Sequence, residues 1–339
     1  MDYFKRYSRQ MLFSPIGEVG QKKFSQSRAL IVGMGALGTA IANHLVRAGF
    51  GYIRIVDRDY VEKSNLQRQM LFDEEDVAAA LPKTVAAKNK LTKMNSAVEI
   101  EAITADVNPS NITEFIDSMD FVMDGTDNFS TRFLLNDACF KNKIPFVYGG
   151  AVSSRGMTAL FIPDETPCLR CFIQSGEGTT GETCDTIGVI SPIVDIIASY
   201  QVTEIMKYIA GDHEKLHRSL MTIDIWQNHS YAMKFASPKK DCPTCQTNEY
   251  PSLKTGVMQD ITSLCGRETI QIQLESHFDL KEWAEKLEKT TKVKKTPFLL
   301  KAQLEEGERL VLFPDGRVLV QGTEDSGRAK ALYARYIGM

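Results

Sequence analysis

Arg28-Ala-Leu-Ile-Val-Gly-Met-Gly-Ala-Leu-Gly38 opens the stretch of sequence that decides the fold; a mostly apolar run to Ala48 and then Tyr52-Ile-Arg-Ile-Val-Asp57 complete it. The two short apolar runs predict buried strands, and the spacing of apolar residues between them predicts an amphipathic helix. A strand, a glycine-rich turn, a helix and a second strand form the unit from which parallel sheets are built. The sequence therefore predicts an α/β fold with a Rossmann-like, mostly parallel sheet.

Three glycines in this stretch, Gly33, Gly35 and Gly38, have the spacing of a dinucleotide-binding turn. The first allows a tight turn, the second lets a phosphate approach the backbone, and the third lets helix and strand pack closely. The N-terminus of the following helix offers free N–H groups to an anion. Asp57 ends the second strand, where a carboxylate can accept hydrogen bonds from ribose hydroxyls. The pattern predicts a site for an adenosine-containing nucleotide and leaves its identity open.

The composition excludes several classes of protein. The chain has 339 residues, a formal net charge of −3 and a pI near 6.0, so no overall field favours nucleic acid. The first residues contain no apolar signal run, and no uncharged apolar stretch is long enough to span a membrane. Seven cysteines, four of them in two Cys-x-x-Cys pairs, indicate metal and thiol chemistry in a reducing compartment. We therefore expect a cytoplasmic protein that binds neither nucleic acid nor a membrane.

The predicted elements divide the chain into two domains. Strands and helices alternate over the first half, with Pro82 as the first residue of a helix, and an antiparallel extension of the sheet follows. An apolar helix over 189–210 fits either the core or a dimer seam. A polar segment separates a large domain, 1–248, from a small α+β domain, 257–339, in which Pro314-Asp-Gly316 predicts a hairpin turn.

Two cysteine turns predict a metal site. Cys168-Leu-Arg-Cys171 is the first cysteine turn, and Cys242-Pro-Thr-Cys245 is the second. Each turn can place two sulfurs on one ion, and together they complete a closed tetrahedral zinc site. All four positions would be filled by sulfur, leaving no open position for a substrate. We therefore expect structural Zn²⁺ held by Cys168, Cys171, Cys242 and Cys245; Cys139 lies in an apolar helical run and is expected in the core.

Polar side chains near the ends of successive strands extend the nucleotide site. Ser64-Asn-Leu-Gln-Arg-Gln69 follows the Asp57 strand, Lys83 starts the next helix, and Asp127 follows a buried strand. An enzyme with nucleotidyl chemistry needs cations on the phosphates and a carboxylate for Mg²⁺. Arg68 and Lys83 fit the first role, and Asp127 fits the second.

In combination, these motifs resemble the ThiF/MoeB family, the bacterial relatives of ubiquitin-activating enzymes. The resemblance covers about residues 4–247 and rests on the glycine turn, Asp57-Arg-Asp59, residues 64–69, Lys83, Asp124-Gly-Thr-Asp-Asn128 and the two cysteine turns. It implies that ATP and Mg²⁺ adenylylate the C-terminal Gly-Gly carboxylate of a ubiquitin-like sulfur-carrier protein. It also implies a homodimer that shares its sites between subunits.

The resemblance assigns roles to individual residues. It implies that Asp57 binds the ribose and that Arg68 and Lys83 bind the phosphates. It implies that Asn65 and Gln69 lie in the phosphate pocket and that Asp127 binds Mg²⁺. It also implies that Arg9 contacts the ATP of the neighbouring subunit. The expected catalytic residues are therefore Arg9, Arg68, Lys83, Asp127 and Cys184, and the expected nucleotide-binding residues are Gly33, Gly35, Gly38, Asp57, Asp59, Asn65, Arg68, Gln69, Lys83 and Asp127.

Cys184 lies in a polar, glycine-rich stretch and is uncommitted to zinc. Its thiol could attack the acyl-adenylate or hold a sulfur bond to the carrier. The resemblance supports that role, because some family members use a cysteine at this position; an inert loop cysteine is the alternative. The small domain has no cysteine-centred loop suited to sulfur transfer, so a separate cysteine desulfurase or sulfurtransferase is expected.

Three further functions remain open from the sequence. A zinc-stabilised scaffold would bind a ubiquitin-like partner without using ATP, and a nicotinamide-dependent oxidoreductase would use the same nucleotide fold. A relative that adenylates a peptide or an intermediate of tRNA base modification would not need a carrier. The residues do not distinguish thiamine thiazole synthesis from molybdopterin synthesis, because both carriers end in Gly-Gly.

Overall fold

The structure is a computed structural model, and it describes residues 5–173, 187–254, 261–264, 268–273 and 277–338. The chain forms two compact units, one of residues 1–77 and 82–255 and one of residues 78–81 and 256–339. Each unit has its own sheet and its own hydrophobic core. Within the described ranges, no helix is both long enough and apolar enough to cross a membrane.

The sheet of the first unit confirms the predicted Rossmann-like architecture. Its strands are β1 (Arg28–Val32), β2 (Tyr52–Asp57), β3 (Glu99–Thr104), β4 (Phe121–Asp124), β5 (Phe146–Val152), β6 (Arg155–Phe161), β7 (Ser219–Asp224) and β8 (His229–Lys234). They lie in the order β3-β2-β1-β4-β5-β6-β7-β8. The first five strands of this order are parallel to one another, and the last three extend the sheet in antiparallel fashion.

The strand order places a crevice at one edge of the sheet. β2 and β3 lie on one side of β1, whereas β4 lies on the other. At such a switch point the connections leave the sheet in opposite directions, so a gap opens beyond the carboxyl ends of the two central strands. We call the gap beyond Val32 and Asp124 the β1–β4 crevice.

The helices of the first unit are α1 (Ser8–Met11), α2 (Gly17–Gln26), α3 (Ala36–Ala48), α4 (Glu74–Ala79), α5 (Lys83–Met94), α6 (Ile112–Ile116), α7 (Phe129–Lys141) and α8 (Ser191–Ala210). Two predicted starts are shifted. Helix α5 begins at Lys83, because Pro82 has an extended ψ of 141° and forms a β-bridge with Tyr60. Helix α8 begins at Ser191, because Val189 forms a bridge with Ser153.

Helix α8 fills the core of the first unit. Ile193, Val194 and Ile197 are buried along it. The buried amide of Gln201 donates hydrogen bonds to the carbonyls of Asp124 at 3.0 Å and Val147 at 3.2 Å, which satisfies two backbone acceptors on β4 and β5. The sequence left open whether this apolar helix belongs to the core or to a dimer seam, and its place in the core accounts for its buried face.

The second unit is the expected small α+β fold. Its strands are β9 (Ile261–Leu264), β10 (Thr269–Gln273), β11 (Lys292–Lys295), β12 (Leu300–Gln303), β13 (Arg309–Leu312) and β14 (Arg317–Gln321), and its helices are α9 (Leu280–Leu287) and α10 (Ser326–Tyr336). The antiparallel sheet has the order β11-β12-β13-β14-β10-β9. The hairpin of β13 and β14 turns at the predicted place, where Gly316 has a φ of +89°.

A buried ion pair fixes the loop after β4. Asp124 is fully buried, and its carboxylate accepts hydrogen bonds from the backbone and hydroxyl of Thr126 and, at 3.2 Å, from Arg132 Nε. Arg132 also donates to the carbonyls of Thr126 and Gly149. Burial raises the pKa of the Asp124 carboxyl, and the Arg132 guanidinium opposes that rise. One arginine thus joins β4, α7 and β5 behind the crevice.

Substituting Arg132→Met should lower the free energy of unfolding by about 3–5 kcal/mol, because the Asp124 carboxylate would stay buried without its cation. The double variant Asp124→Asn with Arg132→Met should recover part of that loss. Urea denaturation followed by circular dichroism measures both. The control is Lys143→Met, which breaks an exposed ion pair with Asp164 and should cost about 1 kcal/mol or less. Equal losses for Arg132→Met and Lys143→Met would contradict the expectation.

Candidate functional site

Two of the three fingerprint glycines are required by backbone packing. Gly33 has a φ of +89°, and a Cβ there would lie 2.6 Å from the carbonyl oxygen of Gly125. A Cβ at Gly38 would lie 1.8 Å from the carbonyl oxygen of Gly33. Any side chain at either position would force the backbone apart. The turn after β1 therefore closes only with glycine, and it packs directly on the loop after β4.

Gly35 has a different environment, because nothing crowds it. The nearest atom to a Cβ built there is Gln69 Nε2, at 3.8 Å. Gln69 is itself buried, and its Oε1 has no hydrogen-bond partner among the described residues. Gly35 directly precedes α3, a helix of 13 residues. Open space beside a helix N-terminus and a buried amide is suited to an anion such as a phosphate.

Asp57 connects the glycine turn to the loop after β2. Its Oδ2 accepts a hydrogen bond from the backbone of Met34 at 2.6 Å, and its Oδ1 accepts one from the backbone of Asp59 at 2.7 Å. Burial raises the pKa of the Asp57 carboxyl, while the nearby Lys83 ammonium opposes the rise. The side chain is only half-buried. Asp57 ends β2, as the sequence predicted, and its carboxylate contacts the glycine turn after β1.

Lys83 is brought into the same group of charges. Its side chain is buried, and its Nζ lies 2.9 Å from Asp59 Oδ2. Its backbone N–H donates to the carbonyl of Asp59, also at 2.9 Å. The first residue of α5 is thereby fixed to the loop after β2, and Asp57, Asp59 and Lys83 form one cluster.

Asn65 and Arg68 lie on the loop between β2 and α4. Asn65 is buried and has a structural contact: its Oδ1 accepts from the backbone of Glu62 at 3.1 Å, which caps a short 3₁₀ turn (Lys63–Asn65). Its carbonyl accepts from the backbones of Arg68 and Gln69, so it also sets their positions. Arg68 is half-buried and donates to the carbonyl of Ser64 at 3.1 Å.

Asp127 is exposed in the loop after β4, directly before Asn128, whose side chain caps α7. Its charge acts on Arg58, which lies 3.0 Å from Asp106. Burial lowers the pKa of Arg58, but the carboxylates of Asp106, Asp59, Asp127 and Asp57 outweigh that effect and raise it. Arg58 was not among the predicted site residues. The sequence feature that could have identified it is the cluster of acidic residues at adjacent strand ends, which needs a cation nearby.

Arg9 is a predicted site residue that no described contact joins to this group. Arg9 is exposed on α1, and among the described residues none bonds its guanidinium. Its helix is nevertheless held in place, since the buried Tyr7 accepts a hydrogen bond from Asn95 at 2.7 Å and Gln10 donates to the carbonyl of Ala48 at 3.0 Å. Cys184 lies outside the described residues.

The two cysteine turns converge on one point. All four sulfur atoms lie within 4.8 Å of one another, with Cys168 and Cys242 at 3.4 Å and Cys171 and Cys245 at 3.5 Å. Sulfurs on a tetrahedral zinc ion are roughly 3.8 Å apart, so the donor set and its dimensions fit a metal ion. Contacts among the thiols, first that between Cys168 and Cys171, raise the pKa of Cys168 and lower that of Cys171. Cys139 is buried, as expected, and burial raises its pKa.

Solved structures with a similar fold confirm the architecture. MccB of E. coli in a crystal structure with ATP is similar with a TM-score of 0.62 and 23% identity, over 71% of this chain and 74% of that chain. A second crystal structure of MccB gives a TM-score of 0.64 and 24% identity, over 71% and 72% of the two chains. At these identities the similarity establishes the fold alone.

Relatives in sequence are closer. The chain is 44% identical over 337 residues to the sulfur carrier protein ThiS adenylyltransferase of Bacillus subtilis, covering 98% of this chain and 99% of that protein. It is 35% identical to the SAMP-activating enzyme E1 of Haloferax volcanii, over 71% and 88%. It is also 35% identical to the adenylyltransferase and sulfurtransferase MOCS3 of Culex quinquefasciatus, over 81% of this chain and 61% of that protein. The model of the ThiF family matches residues 7–244, and the chain belongs to that family.

Proposed function

We propose that this protein is an adenylyltransferase that activates the C-terminal Gly-Gly carboxylate of a ubiquitin-like sulfur carrier of the ThiS type. The observation that carries the proposal is the 44% identity with a ThiS adenylyltransferase over 98% of the chain, a match that includes the second unit. The MOCS3 relative of Culex quinquefasciatus is matched over only 61% of its length. The end-to-end similarity favours the thiamine thiazole pathway over molybdopterin synthesis. It also disfavours a non-catalytic scaffold and a nicotinamide-dependent oxidoreductase.

The proposed reaction needs little covalent help from the protein. A carboxylate oxygen of the carrier bonds to the α-phosphorus of ATP, the bond from that phosphorus to the oxygen bridging the β-phosphorus breaks, and pyrophosphate leaves. The carboxylate is already ionised near neutral pH, so no general base is required. Because two anions must approach each other, positioning and cationic stabilisation are what the protein can supply.

The β1–β4 crevice supports a nucleotide site with divided roles. Asp57 would accept hydrogen bonds from the ribose, since backbone N–H groups already orient its carboxylate. Lys83 would stabilise the phosphates. Its ammonium group is paired with Asp59, so the buried positive charge is not left without a partner. Arg58 would add a second positive charge beside the cluster of Asp57, Asp59 and Lys83.

The phosphates would lie against the glycine turn. Gly35 leaves space on the side facing Gln69, and the helix that follows directs its N–H groups there. Arg68 would reach the phosphates from the loop that Asn65 orders. Asp127, an exposed carboxylate, is suited to Mg²⁺, which prefers oxygen ligands and retains several waters.

We further propose Zn²⁺ in the cysteine cluster, a homodimer, and a sulfur supply from outside. Four thiolate ligands leave no open coordination position, so the zinc would be structural. Arg9 would contribute to the neighbouring subunit's nucleotide, in accordance with its exposure on α1. Sulfur would come from a separate cysteine desulfurase or sulfurtransferase, with Cys184 as the proposed point of covalent attachment.

The test of the function is ATP–pyrophosphate exchange by the full-length protein with a ThiS-type carrier that ends in Gly-Gly. Exchange should require the intact tail and should vanish with the same carrier lacking its last glycine, because the reacting carboxylate is then displaced by one residue. A MoaD-type carrier is the comparison for pathway choice. Exchange at the same rate without any carrier, or with the truncated carrier, would contradict the proposal.

Two glycine substitutions separate folding from nucleotide binding. Gly38→Ala should lower the melting temperature, because its Cβ would lie 1.8 Å from the Gly33 carbonyl oxygen. Gly35→Ala should keep the wild-type melting temperature, since its Cβ has space, but should weaken ATP binding about tenfold or more, equivalent to about 1.4 kcal/mol. Calorimetry measures both properties. Wild-type affinity for ATP in Gly35→Ala would place the phosphates elsewhere.

The shared site can be tested by mixing inactive subunits. Arg9→Ala and Arg68→Ala should each abolish exchange as homodimers. In mixed dimers, one of the two sites would combine an intact Arg9 with an intact Arg68, so up to about half of the activity per mixed dimer should return. A mixture of Arg68→Ala with Lys83→Ala, two residues proposed for the same subunit's site, is the control. If Arg9→Ala with Arg68→Ala regains no more activity than this control, Arg9 does not act across the dimer.

A further inference from the structure

A single buried carboxylate, that of Asp137 in α7, receives hydrogen bonds from three other segments of the first unit. Its side chain has no exposed surface. Its donors are Arg170 Nε and Nη2, each at 2.9 Å, Thr244 Oγ1 at 2.5 Å, the backbone N–H of Ser252 at 2.8 Å and Asn136 Nδ2 at 3.1 Å. None of the roles described above uses this group.

Two of these donors occupy the same position in the two cysteine turns. Arg170 is the third residue of the first turn, and Thr244 is the third residue of the second. Each directly precedes the second cysteine of its turn. Asp137 Oδ1 accepts a hydrogen bond from both side chains, so one oxygen atom bridges the two turns.

This bridge constrains the distance between the two cysteine turns. The spacing within a cysteine turn sets the distance between its own two sulfurs, but it does not set the distance to the other turn. Cys168 and Cys242 are 74 positions apart in the chain, yet their sulfurs lie 3.4 Å apart. The first turn has two more contacts with α7: the Leu169 N–H donates to Asn136 at 2.9 Å, and the Arg170 guanidinium lies 4.5 Å from the centre of the Phe133 ring.

We propose that Asp137 is a positioning residue of the metal centre: it holds both cysteine turns at the separation that one ion requires and connects that ion to α7. Four thiolates around a divalent cation carry net negative charge, and Arg170 supplies the positive charge that lets a carboxylate lie beside them. The inference depends on an ion in the cysteine cluster. It does not depend on the carrier or on adenylylation.

The experiment measures zinc release from the full-length protein to an excess of a chromogenic chelator. Asp137→Asn should release zinc about 10- to 100-fold faster, the range typical when a residue that orients metal ligands is replaced. Thr244→Val should show a smaller acceleration, because it removes one donor. Thr244→Ser keeps the hydroxyl and should release zinc at the wild-type rate. Leu135→Val is the control, since it weakens the packing of the same helix without touching the carboxylate.

Hydrogen exchange gives a second readout, for the connection to α7. Removing zinc from the wild type should speed exchange of the α7 amides, whereas in Asp137→Asn those amides should already exchange faster and respond little to zinc removal. An α7 that exchanges at the same rate with and without zinc in the wild type would refute the connection.

Two release results would overturn the positioning role: a wild-type rate in Asp137→Asn, or equal acceleration in Asp137→Asn and Leu135→Val. If Asp137→Asn does not fold, Thr244→Val and Thr244→Ser decide, and equal release by these two refutes the inference. A wild type that contains no zinc refutes it as well. None of these results affects the pyrophosphate exchange that tests the proposed function.

Discussion

The carbonyl oxygen of Gly33 is packed so closely that only glycines can surround it. A Cβ at Gly38 would lie 1.8 Å from this oxygen, and one at Gly125 would lie 2.5 Å from it. All the atoms in these contacts belong to the backbone, so no rotation of a side chain can relieve a clash. The turn after β1 and the loop after β4 therefore meet directly. The glycine turn proposed to hold the phosphates depends on this contact, because the turn has this shape only where the loop after β4 can lie against its backbone.

The crevice also contains an internal balance of charge. Asp57, Asp59 and Asp127 contribute carboxylates from the ends of β2 and β4, and Arg58 and Lys83 contribute the cations. Lys83 is buried and Arg58 is half-buried, and each has a carboxylate within 3.0 Å. Such an arrangement lets the protein hold positive charge where triphosphate is expected without the large cost of an isolated buried ion. It also orients the cations in advance, which is the main contribution that a protein can make to this class of reaction.

Local patterns made most of the fold and part of the site predictable. The glycine turn, Asp57 and the cysteine pairs are encoded within a few residues, so their spacing alone indicated their structure. The pairing of Asp137 with both cysteine turns could not be predicted in this way. Thr244 lies 107 positions from Asp137, and such contacts follow from the packing of α7 against distant segments. Pro82 shows the same limit on a small scale: the proline predicted a helix start, but its bridge to Tyr60 moved that start to Lys83.

Helix α7 carries two buried ionic contacts on one rigid element. Arg132 in its first half supports the loop of the crevice, and Asp137, about 7.5 Å further along the helix axis, contacts the cysteine turns. This arrangement has an evolutionary consequence. A descendant that lost its cysteines would retain the buried Asp137 carboxylate and the buried Arg170 guanidinium without a metal site to support. Removing only one of the two would leave the other as an unpaired buried charge. The four cysteines, Asp137 and Arg170 should therefore be inherited or discarded together, as one unit of selection.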